Sequence, residues 1–118
     1  AKAATWEGAP YEYGGSTRQG IDCSHLVHEA YSEAGFTYSY IPTSGDWKSQ
    51  GFIEVSVPQP GDVVLWRGLR HCGIVVDPIS GKFIHAPRKN KPVQYSNYNS
   101  PYWKNISHVF LRYCAKGR

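Results

Sequence analysis

The clearest pattern in the chain is an apolar stripe at helical spacing. Leu26, Val27, Ala30, Tyr31 and Ala34 recur every three or four positions, as expected for one helix face turned to a core. Asp22 stands before the stripe as an N-cap type, and Gly35 follows it as a residue suited to the left-handed C′ position. Past residue 50 the pattern changes to short apolar runs. Asp62–Arg67, His71–Asp77 and Lys82–Ala86 predict the best strands, joined by links short enough for antiparallel hairpins. Ile53–Val57, Val93–Ser96 and Ser107–Tyr113 predict weaker ones. Elsewhere the pattern predicts a short helix within residues 2–9 and an extended piece from Tyr11 to a turn at Gly14-Gly15. It predicts a polar loop from Ser16 to Gly20, a short helix near Gly45–Gln50 and an aromatic loop over 97–106. Helices precede a run of hairpin-linked strands. That order predicts an α+β fold: an antiparallel sheet of five to six strands with the 23–34 helix packed on it.

Cys23 lies three and four residues before Leu26 and Val27, so it shares their face. A cysteine on a first helical turn feels the positive end of the helix dipole, which favours thiolate over the usual thiol pKa of about 8.5. The same place suits a small buried hydrophobe, since free cysteines are among the most buried residues. His71 opens one predicted strand and His85 lies near the end of the next. From His71 to Asp77 is six steps and from Lys82 to His85 only three, so a bulge or offset is needed to bring the two rings level. Cysteine, histidine and a polar orienter form a nucleophile–base–orienter arrangement. In it His71 takes the thiol proton and later protonates the leaving amine, while His85 fixes the His71 tautomer. The Cys23 backbone N–H and the Tyr11 hydroxyl are the expected oxyanion donors. Zinc ligation by Cys23, His71 and His85 is the competing use of these types, and it leaves the helix-start position of the cysteine unexplained. His28 and His108 are expected at the surface or in a second layer.

Five motifs carry a family resemblance. They are Pro10-Tyr11-Glu12-Tyr13-Gly14-Gly15, Gly20-Ile21-Asp22-Cys23-Ser24, Pro60-Gly61-Asp62-Val63-Val64, His71-Cys72-Gly73-Ile74-Val75 and Phe83-Ile84-His85-Ala86-Pro87. In order and spacing the chain resembles the catalytic domain of the NlpC/P60 cysteine peptidases, a papain-like superfamily. The resemblance implies one catalytic domain over residues 1–118 with nucleophile Cys23, base His71 and orienting His85. It also implies that Tyr11 lines the site and helps bind substrate or the oxyanion, and that Asp22 and Ser24 shape the nucleophile's turn. No cofactor is expected. The implied reaction is hydrolysis of bacterial peptidoglycan stem peptides, at the D-γ-glutamyl–diaminopimelate bond or the cross-link, through a thioester acyl-enzyme. Members serve in wall remodelling or as antibacterial toxins held in check by an immunity protein. Two positions depart from the family pattern. His25 stands where a small residue is common, which bears on substrate preference. Cys72 stands where an aliphatic residue is common; by strand alternation it is expected to point away from His71 and to leave catalysis untouched.

Charge narrows the partner. A net charge of +4 and a pI near 9.0 favour anionic partners. The basic residues are scattered apart from Arg88-Lys89-Asn90-Lys91, and nucleic-acid modules are not among the motifs. That run, with Arg67 and Arg70, is expected to attract stem-peptide carboxylates. No apolar run approaches the ~18 residues of a membrane span. An export signal is not visible, and the expected place of action is the periplasm or the exterior, as a monomer. Nine Tyr and four Trp predict an aromatic core, an aromatic groove around Tyr38–Trp47, Tyr98, Tyr102 and Trp103, or both. Three cysteines allow a Cys72–Cys114 bridge with Cys23 free, or three reduced thiols. Two other functions remain: an acyltransferase or amidase on a non-wall substrate, and a non-catalytic wall-binding module, which would have no use for a nucleophile–base pair.

Overall fold

The computed structural model describes residues 2–114. A 3-10 turn over Lys2–Trp6 leads to a small hairpin of β1 (Ser16–Thr17) and β2 (Gly20–Ile21). A polar loop was expected there; strands of two residues are too short to leave an alternating signature. Helix α1 covers Cys23–Glu33. Asp22 caps it from an extended conformation, its Oδ1 accepting the His25 N–H at 2.9 Å. Gly35 ends the turn beyond it at φ 93°, a conformation that glycine adopts without Cβ strain.

Six strands follow: β3 (Phe52–Val55), β4 (Val63–Trp66), β5 (His71–Asp77), β6 (Lys82–His85), β7 (Gln94–Asn97) and β8 (Val109–Tyr113). They form one antiparallel sheet in the order β3-β8-β4-β5-β6-β7. The α+β expectation is met, with strand ends shifted by a residue or two. The loop expected over 97–106 contains a single helical turn, α2 (Pro101–Lys104), with proline in its first turn.

Both faces of the sheet are covered. On one, α1 buries Leu26, Val27 and Ala30 against Val63, Leu65, Cys72, Ile74 and Ile84. Full burial of a leucine or valine contributes about 1.5–3 kcal/mol, so this stripe anchors the helix. The stripe is shorter than its sequence: Tyr31 is half-buried and Ala34 exposed. On the other face Val64, Trp66, Val75, Phe83 and Tyr98 pack together, backed by Trp103, Ile106 and Phe110. Strand β4 is buried on both sides, which is why it reads as an unbroken apolar run.

The aromatic segment 36–52 divides between core and surface, with Phe36 and Tyr40 exposed. Ile41 and Trp47 are buried, and Trp47 meets the Phe52 ring edge-on at 5.0 Å. Its only helical piece is a 3-10 turn at Lys48–Gln50, shorter than the expected Gly45–Gln50. Tyr98 is also buried. Asp62, in the Pro60-Gly61-Asp62 turn, is buried against Arg112 of β8, which donates to both its oxygens at 3.0 and 2.8 Å. That motif pins a turn to the sheet.

A Cys72–Cys114 bridge is ruled out by register. Cys72 pairs with Leu65, and Leu65 pairs with Val109. Cys114 lies five residues further along and two strands across. At ~4.8 Å per strand and ~3.3 Å per residue the Cα atoms are roughly 19 Å apart, against the ~4.4–6.8 Å that a disulfide spans. All three cysteines are free thiols.

Strand β5 carries its histidine into place with the help of Gly73. A Cβ there would lie 2.8 Å from Phe83 Cδ2 and from the Ile84 oxygen, and 3.1 Å from His85 Cβ. Gly73→Ala is therefore expected to destabilise the protein by about 1–3 kcal/mol and to displace the His85 ring. Denaturant unfolding checks the first, and loss of reactivity at the site checks the second.

Candidate active site

The expected offset between the two histidines is present. Ile74 pairs with Ile84 and Val75 with Phe83, but Asp77 pairs with Lys82, so β5 carries an extra residue between Val75 and Asp77. Continuing that register puts His85 across from Gly73, two positions from His71 on the same face. The missing Gly73 side chain leaves the space in which the two rings meet, with His71 Nε2 and His85 Nδ1 2.7 Å apart. Both histidines are buried. Trp66 and Trp103 stack on His71 at 6.0 and 5.5 Å.

His85 Nε2 lies 2.8 Å from Ser96 Oγ on β7. Sequence reasoning missed this serine; its one signal was a polar position in the strand after His85. Burial, and then the His71 charge, push His85 down to about 3, so its ring is neutral at ordinary pH. A neutral imidazole has one donor and one acceptor. One arrangement that uses every partner, and leaves His71 Nδ1 free to take a proton, has His71 Nε2–H donating to His85 Nδ1 and His85 Nε2–H donating to Ser96. With Nε2 engaged by His85, Nδ1 of His71 is the nitrogen left for Cys23, whose ionisation the ring shifts.

Cys23 sits at the first turn of α1, half-buried, where the helix N-terminus meets the start of β5. The β4–β5 link is a 3-10 turn at Arg67–Leu69 closed by Arg70 in the left-handed region, φ 52°. It aims the Arg70 carbonyl at the Cys23 sulfur, 3.8 Å away. The thiol is pulled well below its ordinary pKa. A hydrogen bond from the Cys72 thiol is the largest cause; burial opposes it, and the His71 hydrogen bond and charge reinforce it.

Cys72 corrects one expectation. It does point away from His71, but that face is the one α1 covers. Its side chain is fully buried in the cluster that Cys23 packs against. Burial first, and then the Cys23 partner, drive its own pKa up, so it stays a protonated donor beside the thiolate.

Tyr11, Asp22 and Ser24 gather around the nucleophile's turn. Tyr11 bridges Ile21. Burial raises its hydroxyl pKa and the nearby Cys23 and Asp22 charges add to that. Asp22 Oδ2 accepts the Gly14 N–H at 2.8 Å, tying the Tyr11–Gly15 turn to the helix start. Ser24 Oγ bonds the Tyr40 hydroxyl. His25 stacks flat on Tyr40 at 4.0 Å, with Nδ1 2.8 Å from Asp22 Oδ1. A small residue there would leave this wall open.

Two other histidines lie in a second layer, as expected. His28 contacts the Tyr38 carbonyl, and His108 the Ile106 carbonyl beside Trp66. Beside His85 a cleft of about 420 Å³ is lined by Arg88, Lys91, Gln94, Ser96, Tyr102 and Trp103 among others. Of the expected basic groups, Arg88 and Lys91 therefore reach the site's edge, while Arg67 bonds the Gly45 carbonyl. A second cleft, of about 280 Å³, lies along the far part of α1 by Tyr31, Asp62 and Arg112, remote from the cysteine. Among the described residues there is no group of three His, Cys, Asp or Glu arranged to hold a metal ion. No described helix is long and apolar enough to cross a membrane.

The structure is thus an antiparallel sheet capped by a helix that starts on a cysteine, with a buried histidine pair at its edge. Residues 8–112 match the NlpC/P60 family model, and the chain belongs to that family. It is 34% identical over 105 residues to the murein DD-endopeptidase MepS/murein LD-carboxypeptidase of Escherichia coli (strain K12), covering 86% of this chain and 54% of that protein. It is 35% identical over 112 residues to the gamma-DL-glutamyl hydrolase of Bacillus subtilis (strain 168), covering 88% and 26%. The chain thus spans about half the length of the first relative and a quarter of the second. The crystal structure of the NlpC/p60 domain of the peptidoglycan hydrolase SagA superposes with a TM-score of 0.71 at 25% identity, covering 92% of this chain and 91% of that one.

The neutral, buried His85 has a consequence for acid stability. Unfolded, this histidine binds a proton below about 6.5; folded, it does so only near 3. Between these values the unfolded state holds more protons, so stability falls as pH falls. His85 is expected to contribute up to ~1.4 kcal/mol per pH unit below about pH 6. Denaturant unfolding at pH 7, 6, 5 and 4.5 should show a slope that is shallower in His85→Gln.

Proposed function

We propose that the protein is a cysteine peptidase that hydrolyses amide bonds in bacterial peptidoglycan stem peptides. The observation that carries this reading is the hydrogen-bonded series His71–His85–Ser96 beside Cys23, whose thiol its Cys72 and His71 neighbours hold low. A binding module has no need of a lowered thiol aligned with an oriented imidazole.

The chemistry follows from the donors present. Cys23 thiolate attacks the amide carbonyl. The oxyanion is met by the Cys23 N–H, a first-turn amide with no partner inside the helix, and by the Tyr11 hydroxyl. His71 Nδ1 carries the proton to the leaving amine, and a thioester remains on Cys23. Water then attacks with His71 as base and frees the acid. His85 and Ser96 hold the His71 ring in the tautomer that keeps Nδ1 toward sulfur. We read residues 1–118 as one domain, and its described residues carry every group in this scheme.

The substrate class rests on the relatives' names, a murein endopeptidase and a gamma-DL-glutamyl hydrolase, and on the basic cleft beside His85. Stem peptides carry free carboxylates, which Arg88 and Lys91 would attract. Action on the wall places the protein in the periplasm or outside the cell. Wall remodelling and attack on a rival's wall both use this one reaction; in the second case an immunity protein would be the partner.

The test is mass analysis of soluble products from purified sacculi and isolated muropeptides, with Cys23→Ala run in parallel. The intact protein should release stem-peptide fragments whose masses name the bond, and Cys23→Ala should release none above background. Release by both proteins, or by neither, would contradict the proposal.

A further inference from the structure

The thiol that the reaction scheme does not use is Cys72. It is fully buried, so nothing in solution reaches it. Cys23 packs on the core cluster that contains Cys72, and the two thiols shift each other's ionisation. The Cys23 sulfur also contacts the Arg70 carbonyl, two residues before Cys72. The third cysteine, Cys114, is exposed and roughly 19 Å from Cys72 by strand spacing. An aliphatic side chain would fill the Cys72 position against α1 as well as sulfur does; what sulfur adds is a second thiol in the cluster that Cys23 packs against.

We propose that Cys23 and Cys72 are a redox modification site: a hydroperoxide converts them to an intramolecular disulfide that blocks the nucleophile reversibly. Cys23 thiolate attacks the peroxide O–O bond. Sulfur takes one oxygen as sulfenic acid, and hydroxide (or the alkoxide) leaves with the electron pair. Cys72 sulfur then attacks Cys23 sulfur, the S–O bond breaks, and the hydroxyl departs as water with the Cys72 proton. Overall two thiols and one hydrogen peroxide give one disulfide and two waters; sulfur is oxidised by two electrons and peroxide reduced by two. An external dithiol reverses it by exchange. The two side chains meet in one cluster, and the bond forms when the sulfurs close to ~2.05 Å. Without Cys72, the sulfenic acid would pass to sulfinic and sulfonic acids, which dithiols do not restore.

The experiment uses the Cys114→Ser protein, fully reduced, treated with one equivalent of hydrogen peroxide and then blocked with N-ethylmaleimide. The expected result is a mass two hydrogens lower than the reduced protein and a proteolytic fragment joining the Cys23 and Cys72 peptides. Maleimide reactivity at Cys23 should be lost and should return with dithiothreitol. Cys72→Val on the same background, given three equivalents of peroxide, should instead gain two or three oxygens at Cys23, and dithiothreitol should not restore its thiol. Oxygen addition at Cys23 in both proteins at the same rate, without a joined peptide, would overturn the proposal. Should Cys72→Val fail to fold, the joined peptide in the Cys72-containing protein decides alone. The readout is the thiol itself, so it stands or falls apart from the choice of substrate.

Discussion

Everything at the site depends on how the first turn of α1 docks against the first residue of β5. A helix turns 100° per residue, so a slip of one position would swing Cys23 away from both His71 and Cys72. Asp22 prevents that slip from the helix side. Its carboxylate caps the helix, holds the Gly14 amide and contacts the His25 ring. From the sheet side the tight β4–β5 link, ending in left-handed Arg70, fixes where β5 begins. The buried Leu26, Val27 and Ala30 supply the free energy that keeps the two surfaces together.

The sheet divides the work between its faces. The α1 face is apolar and delivers the cysteine pair. The opposite face is built of rings and delivers the histidines, with Trp66 and Trp103 on His71. Burial keeps His85 neutral, so one of its ring nitrogens donates and the other accepts. Gly73 is the point where the two demands meet. It lies next to Cys72 in sequence and under the His85 ring in space, so one absent side chain serves both.

Much of this was legible in the sequence, and the reasons differ by element. The Cys23 helix could be read because cap, stripe and terminal glycine all agree. The β5–β6 hairpin and its needed offset could be read from the unequal lengths flanking the Pro78–Gly81 turn. Three things could not be read. Ser96 is one serine among many until β7 pairs with β6. The rings of segment 36–52 look alike in sequence, and only tertiary packing separates core Trp47 from site-wall Tyr40. Strand alternation correctly turned Cys72 away from His71, but alternation says nothing about which face the helix covers; its partnership with Cys23 is a tertiary fact. The Cys72–Cys114 bridge failed for a related reason, since cysteine count carries no register.

The account's central claim is that this docking holds Cys23 as a thiolate within reach of an oriented imidazole. The most direct measurement is the thiolate absorbance near 240 nm across pH, taken as the difference between the reduced protein and Cys23→Ala. A transition well below the ordinary thiol value of about 8.5 is the expected result. A transition at or above that value would mean that the cysteine, though buried at a helix start, is not activated by its neighbours, and the reaction scheme built on it would fall.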